Sequence, residues 1–143
     1  MKLDHIGFVV EKIDEFVETL RTIGFPSATK PVPDYDKNVN ASFVPVGEKD
    51  EIYLEVLEPL DDRSAVHNFL KRTGGGLHHL CFEVDDIAKA SKELEEKGFR
   101  MVSPPTTCGA YDENLGRSCA GATRISFFLL PNRLLVELVE KGR

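Results

Sequence analysis

The segment LDHIGFVVEKIDEFVETLRTIGF (residues 3–25) decides the fold, because a related segment, LHHLCFEVDDIAKASKELEEKGF (residues 77–99), follows it at an offset of 74 without a gap. Eight of the 23 aligned positions are identical, whereas average residue usage would give roughly one or two matches by chance. The identical pairs are Leu3/Leu77, His5/His79, Phe8/Phe82, Val10/Val84, Ile13/Ile87, Leu20/Leu94, Gly24/Gly98 and Phe25/Phe99. The chain therefore contains an internal repeat.

Each copy begins with the alternation of a strand and continues with the period of a helix. In the first copy, Ile6, Phe8 and Val10 alternate on one face of the predicted strand. Apolar residues then recur at i, i+3, i+4 and i+7 from Ile13 to Leu20, which predicts an amphipathic helix packed on that face. The second copy has the same pattern.

The later parts of the two halves also match. The segment IYLEVLE (52–58) resembles LLVELVE (134–140). Each half is therefore predicted to run strand, helix, strand, strand, strand, with repeat one over residues 1–60, a helical connector over 61–76 and repeat two over 77–143. Neither half alone covers both faces of a mixed four-stranded sheet, so we expect the two to pack together as one α+β domain.

Composition narrows the function classes. The chain has 143 residues and a formal net charge of −6, the wrong sign for a protein dedicated to nucleic acid or to anionic membrane surfaces. No apolar run reaches the ~18–20 residues of a membrane span, and no signal-peptide pattern opens the sequence. The three cysteines are widely spaced, which favours reduced thiols and a cytoplasmic location.

Strand alternation predicts that four polar side chains share one face of the sheet. His5 lies opposite the helix-facing residues of the first strand, and the repeat places His79 on the same face, with the neighbouring His78 pointing away. Glu55 and Glu137 occupy matched positions in the closing strands, within apolar surroundings where an unpaired carboxylate is costly.

Two histidines and two glutamates at matched positions predict a divalent metal site. A lone histidine or glutamate on a strand is more often structural, but the repeat raises the expectation for all four together. Imidazole and carboxylate donors suit Zn, Ni, Co, Fe or Mn, and the absence of thiolate donors argues against a structural zinc. Four protein ligands in an octahedral shell would leave two positions for water or a bidentate substrate.

The phrases LDHIGFVV, EVLEPL, GLHHLCFEVDDI and LLVELVE resemble the vicinal oxygen chelate superfamily, and most closely its methylmalonyl-CoA epimerase-like proteins. The resemblance covers nearly the whole chain. It implies two βαβββ modules packed into an eight-stranded curved sheet around a cleft with one metal, such as Co, Ni, Zn or Mn. The family's ligand positions fall on His5, Glu55, His79 and Glu137. It also implies a homodimer.

The resemblance further implies an isomerase that abstracts an α-proton from an acyl-CoA-type thioester through a metal-stabilised enolate. Epimerisation needs two bases, which the resemblance assigns to Glu137 and to Asp36, the latter one methylene shorter than the glutamate usual there. The segment 103–124 is also longer than the corresponding loop of the epimerases. These departures border the expected substrate cleft. They therefore do not affect the predicted fold or metal site, but the identity of the substrate is left undetermined.

Two other functions are compatible with the sequence. A glyoxalase I-like lactoylthiol lyase would also use two histidines and two glutamates. A non-catalytic drug-binding protein of the bleomycin-resistance type would commonly lack the full ligand set. An extradiol dioxygenase is disfavoured, since oxygen-activating iron typically uses two histidines and one carboxylate with open positions.

Overall fold

The computed structural model describes residues 1–49 and 52–143 and contains eight strands and four α-helices in that part of the chain. In chain order these elements are β1 (Lys2–Val9), α1 (Ile13–Thr22), β2 (Val32–Asp34), β3 (Val39–Pro45), β4 (Tyr53–Pro59), α2 (Ala65–Thr73), β5 (Gly76–Glu83), α3 (Ile87–Glu96), β6 (Arg100–Thr107), α4 (Gly109–Asn114), β7 (Arg124–Leu130) and β8 (Leu134–Glu140).

The eight strands form one curled, half-barrel sheet in the order β2-β3-β4-β1-β5-β8-β7-β6. The first strand of each half pairs in parallel with the last strand of the same half, β1 with β4 and β5 with β8. The two halves meet where β1 and β5 run antiparallel. This order has an approximate twofold symmetry, and it confirms the predicted α+β fold of two βαβββ units.

A glutamate of each closing strand holds the helix of its own half. The Ile13 amide at the start of α1 donates to Glu58 Oε2 at 2.9 Å, and the Ile87 amide at the start of α3 donates to Glu140 Oε2 at 2.8 Å. These carboxylates satisfy amides that have no partner within the helix. Because Glu55 and Glu137 lie three residues earlier on the same strands, they point to the opposite face of the sheet.

The sheet buries apolar residues on both of its faces. On the helix side, α1 packs over a cluster that includes Val44 and Val56, while α3 packs over Phe128 and Leu138. The other, concave side is the one that carries the candidate site. Helix α2 covers one part of it and α4 another, so that a cleft lies between them.

The predicted connector differs slightly from the observed one. Ser64 caps α2 by accepting a hydrogen bond from the Val66 amide at 3.3 Å, and Gly74 ends the helix with a φ of 80°, a left-handed value that glycine adopts without strain. Strand β5 then begins at Gly76, one residue before the predicted boundary of repeat two. None of the described helices combines the length and the apolarity that crossing a bilayer requires.

The long segment 103–124 is more ordered than a loop. Strand β6 extends through it to Thr107, and α4 follows immediately as a short helix with no counterpart in the first half. Tyr111 of this helix is buried in the cleft beside Phe43 and Ile125. The segment therefore builds one wall of the site.

Candidate metal centre

Four side chains converge at the junction of the two halves. One donor atom from each of His5, Glu55, His79 and Glu137 lies within 4.8 Å of every other. The two Nε2 atoms of the histidines are 3.2 Å apart. The Nε2 atom of His5 lies 3.6 Å from Glu55 Oε1 and 3.7 Å from Glu137 Oε1, and that of His79 lies 3.3 Å from Glu55 Oε1 and 3.4 Å from Glu137 Oε2. The predicted set is thus brought together, two residues from each half.

These distances fit a shared divalent ion. Ligand atoms with bond lengths of about 2.1 Å lie roughly 3.0 Å apart in neighbouring octahedral positions and roughly 3.4 Å apart in a tetrahedral shell. The spacings between the histidine nitrogens and the glutamate oxygens lie close to this range. The donor set of two imidazole nitrogens and two carboxylates suits the late first-row divalent metals. The residues present therefore fit the metal that the donor chemistry implies.

The charge of the cluster also calls for a cation. Burial lowers the pKa of His5, but the carboxylates of Glu55, Asp4 and Glu137 outweigh burial and raise that pKa to about 9. Burial raises the pKa of Glu137, and the adjacent Glu55 adds to the effect despite the opposing imidazoles. Without metal, the imidazole of His5 is therefore protonated near neutral pH and provides positive charge beside the carboxylates, as a bound cation would.

A carboxylate network fixes the ring of His5. Asp4 Oδ2 accepts from His5 Nδ1 at 2.8 Å, which leaves Nε2 as the nitrogen that faces the other three donors. The Tyr111 hydroxyl donates to the same carboxylate at 3.0 Å, and Lys141 Nζ forms an ion pair with it at 3.0 Å. Burial raises the pKa of Asp4, but its contacts with His5 and Lys141 outweigh burial and lower the pKa below its usual value.

Asp4, Tyr111 and Lys141 are not predicted from the sequence. Asp4 directly precedes His5, so simple alternation places the two on opposite faces of the strand. The pairing of β1 with β5 is irregular between Leu3 and His5, however, and this bulge brings Asp4 beside the histidine. The sequence does contain one signal, since a carboxylate next to a candidate ligand is a common partner for its second nitrogen.

The prediction that His78 points away from the cleft is wrong. A second pairing irregularity, between Gly7 and Phe8, leaves His78 as an extra residue opposite a shorter stretch of β1. His78 lines the cleft, and its Nδ1 lies 2.8 Å from Nδ1 of His79. Burial and the neighbouring His79 lower the pKa of His78 to about 4, so its ring is neutral and able to accept from His79.

Gly7 provides the space that the ring of His79 occupies. The two residues are direct partners across β1 and β5. A Cβ atom built on Gly7 would overlap the imidazole of His79, so any larger residue would force the ring to move. The glycine is therefore explained by the close approach of the histidine to the backbone.

Glu55, His79 and Glu137 line a cleft of about 240 Å³, and His5 is fully buried beside them. Most of the cleft lining is apolar, with Phe43 packed edge-on to His5 and Phe127 packed edge-on to His79.

Asp34, the last residue of β2, also lines this cleft. Asp36 does not line it; its side chain is exposed in the turn over residues 35–38, at a shallower pocket next to the cleft. The structure thus brings the predicted ligands together and leaves Asp36 outside the cleft.

The family model for the glyoxalase/bleomycin resistance protein/dioxygenase superfamily matches residues 2–115 of the chain. The mitochondrial methylmalonyl-CoA epimerase of Dictyostelium discoideum is 31% identical over 144 residues, which cover 98% of this chain and 78% of that protein. The ethylmalonyl-CoA/methylmalonyl-CoA epimerase of Cereibacter sphaeroides is 29% identical over 102 residues, covering 71% of this chain and 74% of that protein.

Among solved structures, the fold is similar to a variant of Streptomyces coelicolor methylmalonyl-CoA epimerase in complex with 2-nitronate-propionyl-CoA. The TM-score is 0.77 and the sequence identity 26%, and the match covers 100% of this chain and 99% of the other. The similarity therefore extends over both halves and over the cleft between them.

Proposed function

The chain belongs to the glyoxalase/bleomycin resistance protein/dioxygenase superfamily, and from this premise we propose that it is a metal-dependent epimerase of 2-carboxyacyl-CoA thioesters. Its homologues and structural neighbours include methylmalonyl-CoA epimerases from several organisms. The proposed reaction removes the α-proton of the thioester and returns a proton to the opposite face of the planar intermediate.

One observation carries this proposal: two histidines and two glutamates from symmetric positions bring their donor atoms together, and three of these residues, Glu55, His79 and Glu137, line an open, mostly apolar cleft. A metal with only structural value would not need an open cleft, whereas a catalytic metal must be reachable by the substrate. The combination therefore supports a catalytic centre with His5, Glu55, His79 and Glu137 as its proposed ligands.

A divalent ion held there would act as a Lewis acid on the thioester carbonyl, which makes the α-proton easier to remove. Glu137 is the proposed base on one face of the substrate. Its Oε1 accepts a hydrogen bond from the Cys81 thiol at 3.4 Å, so the carboxylate is held on two sides, by the thiol and by the imidazoles.

A second base is needed for inversion. The resemblance assigns this role to Asp36. Asp34 is better placed, because it lines the same cleft as Glu55, His79 and Glu137. The amides of Asp36 and Lys37 donate to Asp34 Oδ1 at 3.1 and 3.2 Å. These hydrogen bonds hold one carboxylate oxygen, and among the residues that the structure describes Oδ2 has only a long contact of 3.9 Å with the Cys108 thiol. We therefore include both aspartates as candidates for the second base.

The relatives support a class of substrate, and the donor set supports several candidate metals. The neighbours in complex with acyl-CoA analogues favour a CoA thioester, and the name of the Cereibacter relative favours an ethylmalonyl or methylmalonyl group. Co, Ni, Zn and Mn all suit the donor set, and the cleft geometry does not distinguish them.

The decisive experiment follows exchange of the α-proton of methylmalonyl-CoA in D2O by NMR. Protein treated with a chelator is compared with protein reloaded with Co, Ni, Zn or Mn in separate samples, and metal content is measured by mass spectrometry. We expect exchange and racemisation only in reloaded samples. Metal-loaded protein that isomerises the hemithioacetal of methylglyoxal instead, without exchanging methylmalonyl-CoA, would favour a glyoxalase-like lyase. Ligand binding by metal-free protein, without turnover in any sample, would favour a drug-binding function.

We also propose that the protein is a homodimer and resides in the cytoplasm. The resemblance supports the homodimer. Cys81, Cys108 and Cys119 are free thiols in the structure, which suits a reducing compartment. Light scattering on the purified chain tests the oligomeric state, and a mass of one protomer would contradict the first proposal.

A further inference from the structure

Among the described residues that line the cleft there is one lysine and no arginine. Lys37 is that residue, whereas Asp34, Glu55 and Glu137 make the remaining charged lining acidic. If the two glutamates coordinate a divalent ion, the ion balances their charge. Asp34 and Lys37 are then the remaining charged side chains of the lining, and Lys37 is the one that can bind an anion.

The backbone around Lys37 is firmly held. The residue lies in the turn over residues 35–38, and its amide donates to Asp34 Oδ1 at 3.2 Å. The next residue, Asn38, has a left-handed φ of 57° and donates its side-chain amide to Asp61 Oδ1 at 2.6 Å. Such a conformation is one that asparagine tolerates better than most residues. The turn therefore presents Lys37 to the cleft from a fixed base.

The ammonium group of Lys37 reaches across to the other half of the molecule. Its Nζ lies 5.3 Å from the ring centroid of Phe127 on β7, and Phe127 packs against His79 with a centroid distance of 5.7 Å. One aromatic ring thus separates the cation from a proposed metal ligand. No acidic side chain lies within 4.0 Å of Lys37 Nζ in the described part of the chain.

We propose that Lys37 binds an anionic oxygen group of the substrate and so determines specificity for charged thioesters; this inference rests on the proposed function. A cation over an aromatic ring gains a modest attraction, and it leaves the three N–H donors of the ammonium available. A carboxylate of the acyl group or a phosphate of the CoA group would accept from these donors. Both have the same chemistry, and the substrates of the test distinguish them.

The test compares Lys37→Met with the wild type and with Lys37→Arg, which keeps the charge. Lys30→Met is the matched control, because it removes the same charge from an exposed site that does not line the cleft. We expect Lys37→Met to raise KM for methylmalonyl-CoA by about 10- to 100-fold, as for the loss of a hydrogen bond between charged groups, with a smaller change in kcat. Lys37→Arg should restore most of the loss, and Lys30→Met should change KM by less than about twofold.

A second substrate identifies the anion. Methylmalonyl-pantetheine has no phosphate. If Lys37 contacts the acyl carboxylate, the effect of Lys37→Met on KM should persist with this substrate. If Lys37 contacts a CoA phosphate, the effect should disappear. Unchanged KM for both substrates in the Lys37→Met variant of an active enzyme would overturn the inference and leave the proposed function intact.

A binding measurement separates this inference from the catalytic proposal. Calorimetric titration with 2-nitronate-propionyl-CoA needs no turnover, so it can be read even where the wild type fails to exchange the α-proton. We expect the dissociation constant of Lys37→Met to be about 10- to 100-fold higher than that of Lys30→Met, and the difference to be smaller at high salt. Equal dissociation constants for these two variants would contradict the role of Lys37.

Discussion

Asp4 and His78 occupy equivalent positions in the two halves, and each contacts Nδ1 of the histidine that follows it at 2.8 Å. Both lie at irregularities in the pairing of β1 with β5. The symmetry thus extends beyond the proposed ligands to the residues that orient them. The symmetry does not extend to charge, since Asp4 is an anion and His78 a neutral imidazole. The rings of the two proposed ligands, His5 and His79, are therefore held by partners of different strength.

Replacement of His78 by alanine should weaken metal binding. With Nδ1 of His79 left without its partner, the ring can rotate away from the other three donors, and losses of this kind cost about 10- to 100-fold in metal affinity. Competition with a chromogenic chelator measures the change. His67→Ala on α2 is the control, because His67 lies outside the cleft lining. Equal affinity of the two variants would mean that His78 does not orient His79.

The sequence predicts the proposed ligands because the repeat supplies a reference that a single strand lacks. His5 and His79 match at an offset of 74, so the second copy selects His79 over the adjacent His78 as the predicted ligand. Alternation then fails at Asp4 and His78, because a bulge adds one residue to a strand and changes the face that neighbouring side chains occupy. Nothing in the alternating pattern marks where a bulge falls.

Other parts of the site depend on tertiary packing that the sequence pattern does not contain. Tyr111 belongs to α4, which has no counterpart in the first half and so no repeat partner to locate it. Asp34 and Asp36 lie two residues apart, and on a continuous strand they would share a face. Strand β2 ends at Asp34, and the turn that follows directs Asp36 to solvent.

Removal of the Tyr111 hydroxyl should destabilise the protein and weaken metal binding. Tyr111→Phe takes one donor from the buried carboxylate of Asp4, and hydrogen bonds to charged groups contribute about 1.5–3 kcal/mol to stability. Urea denaturation of the metal-free protein measures the first effect and chelator competition the second. Tyr35→Phe is the matched control, since Tyr35 is 81% exposed. A Tyr111→Phe variant as stable as this control would contradict the importance of the network.

A methyl group at position 7 should displace His79. Gly7→Ala places its Cβ on the imidazole, so the ring or strand β1 must move. We expect a metal affinity at least about 10-fold lower, because His79 would no longer be oriented toward the ion. Gly121→Ala is the control, because the nearest atom to its added Cβ, the carbonyl oxygen of Arg143, lies at an ordinary 3.8 Å. Metal affinity that stays the same in both variants would show that the ring position is not critical.

The stability of the metal-free protein should fall as the pH rises above neutral. The pKa of His5 is about 9 in the folded protein and 6.5 when unperturbed, so the stabilisation by its charged form is complete below pH 6.5. It is lost as the pH increases through 9, by up to about 3 kcal/mol. Urea denaturation at pH 6.5 and 9.5 after chelation measures the difference, and His5→Gln should remove most of it. A wild-type stability that rises over this range would contradict the assignment.

Substitution of the two aspartates separately should identify the second base. Asn at position 34 keeps an oxygen to accept from the amides of Asp36 and Lys37, so Asp34→Asn preserves the turn while removing a base from the cleft. If Asp34 is the base, racemisation of methylmalonyl-CoA falls by about 10²- to 10⁴-fold. Glu137 still exchanges the α-proton of one enantiomer with D2O, so exchange without inversion is the expected signature. Asp36→Asn, which alters an exposed side chain, should retain both reactions. The reverse result, inversion lost only in Asp36→Asn, would assign the base to Asp36 and require the turn to move when substrate binds.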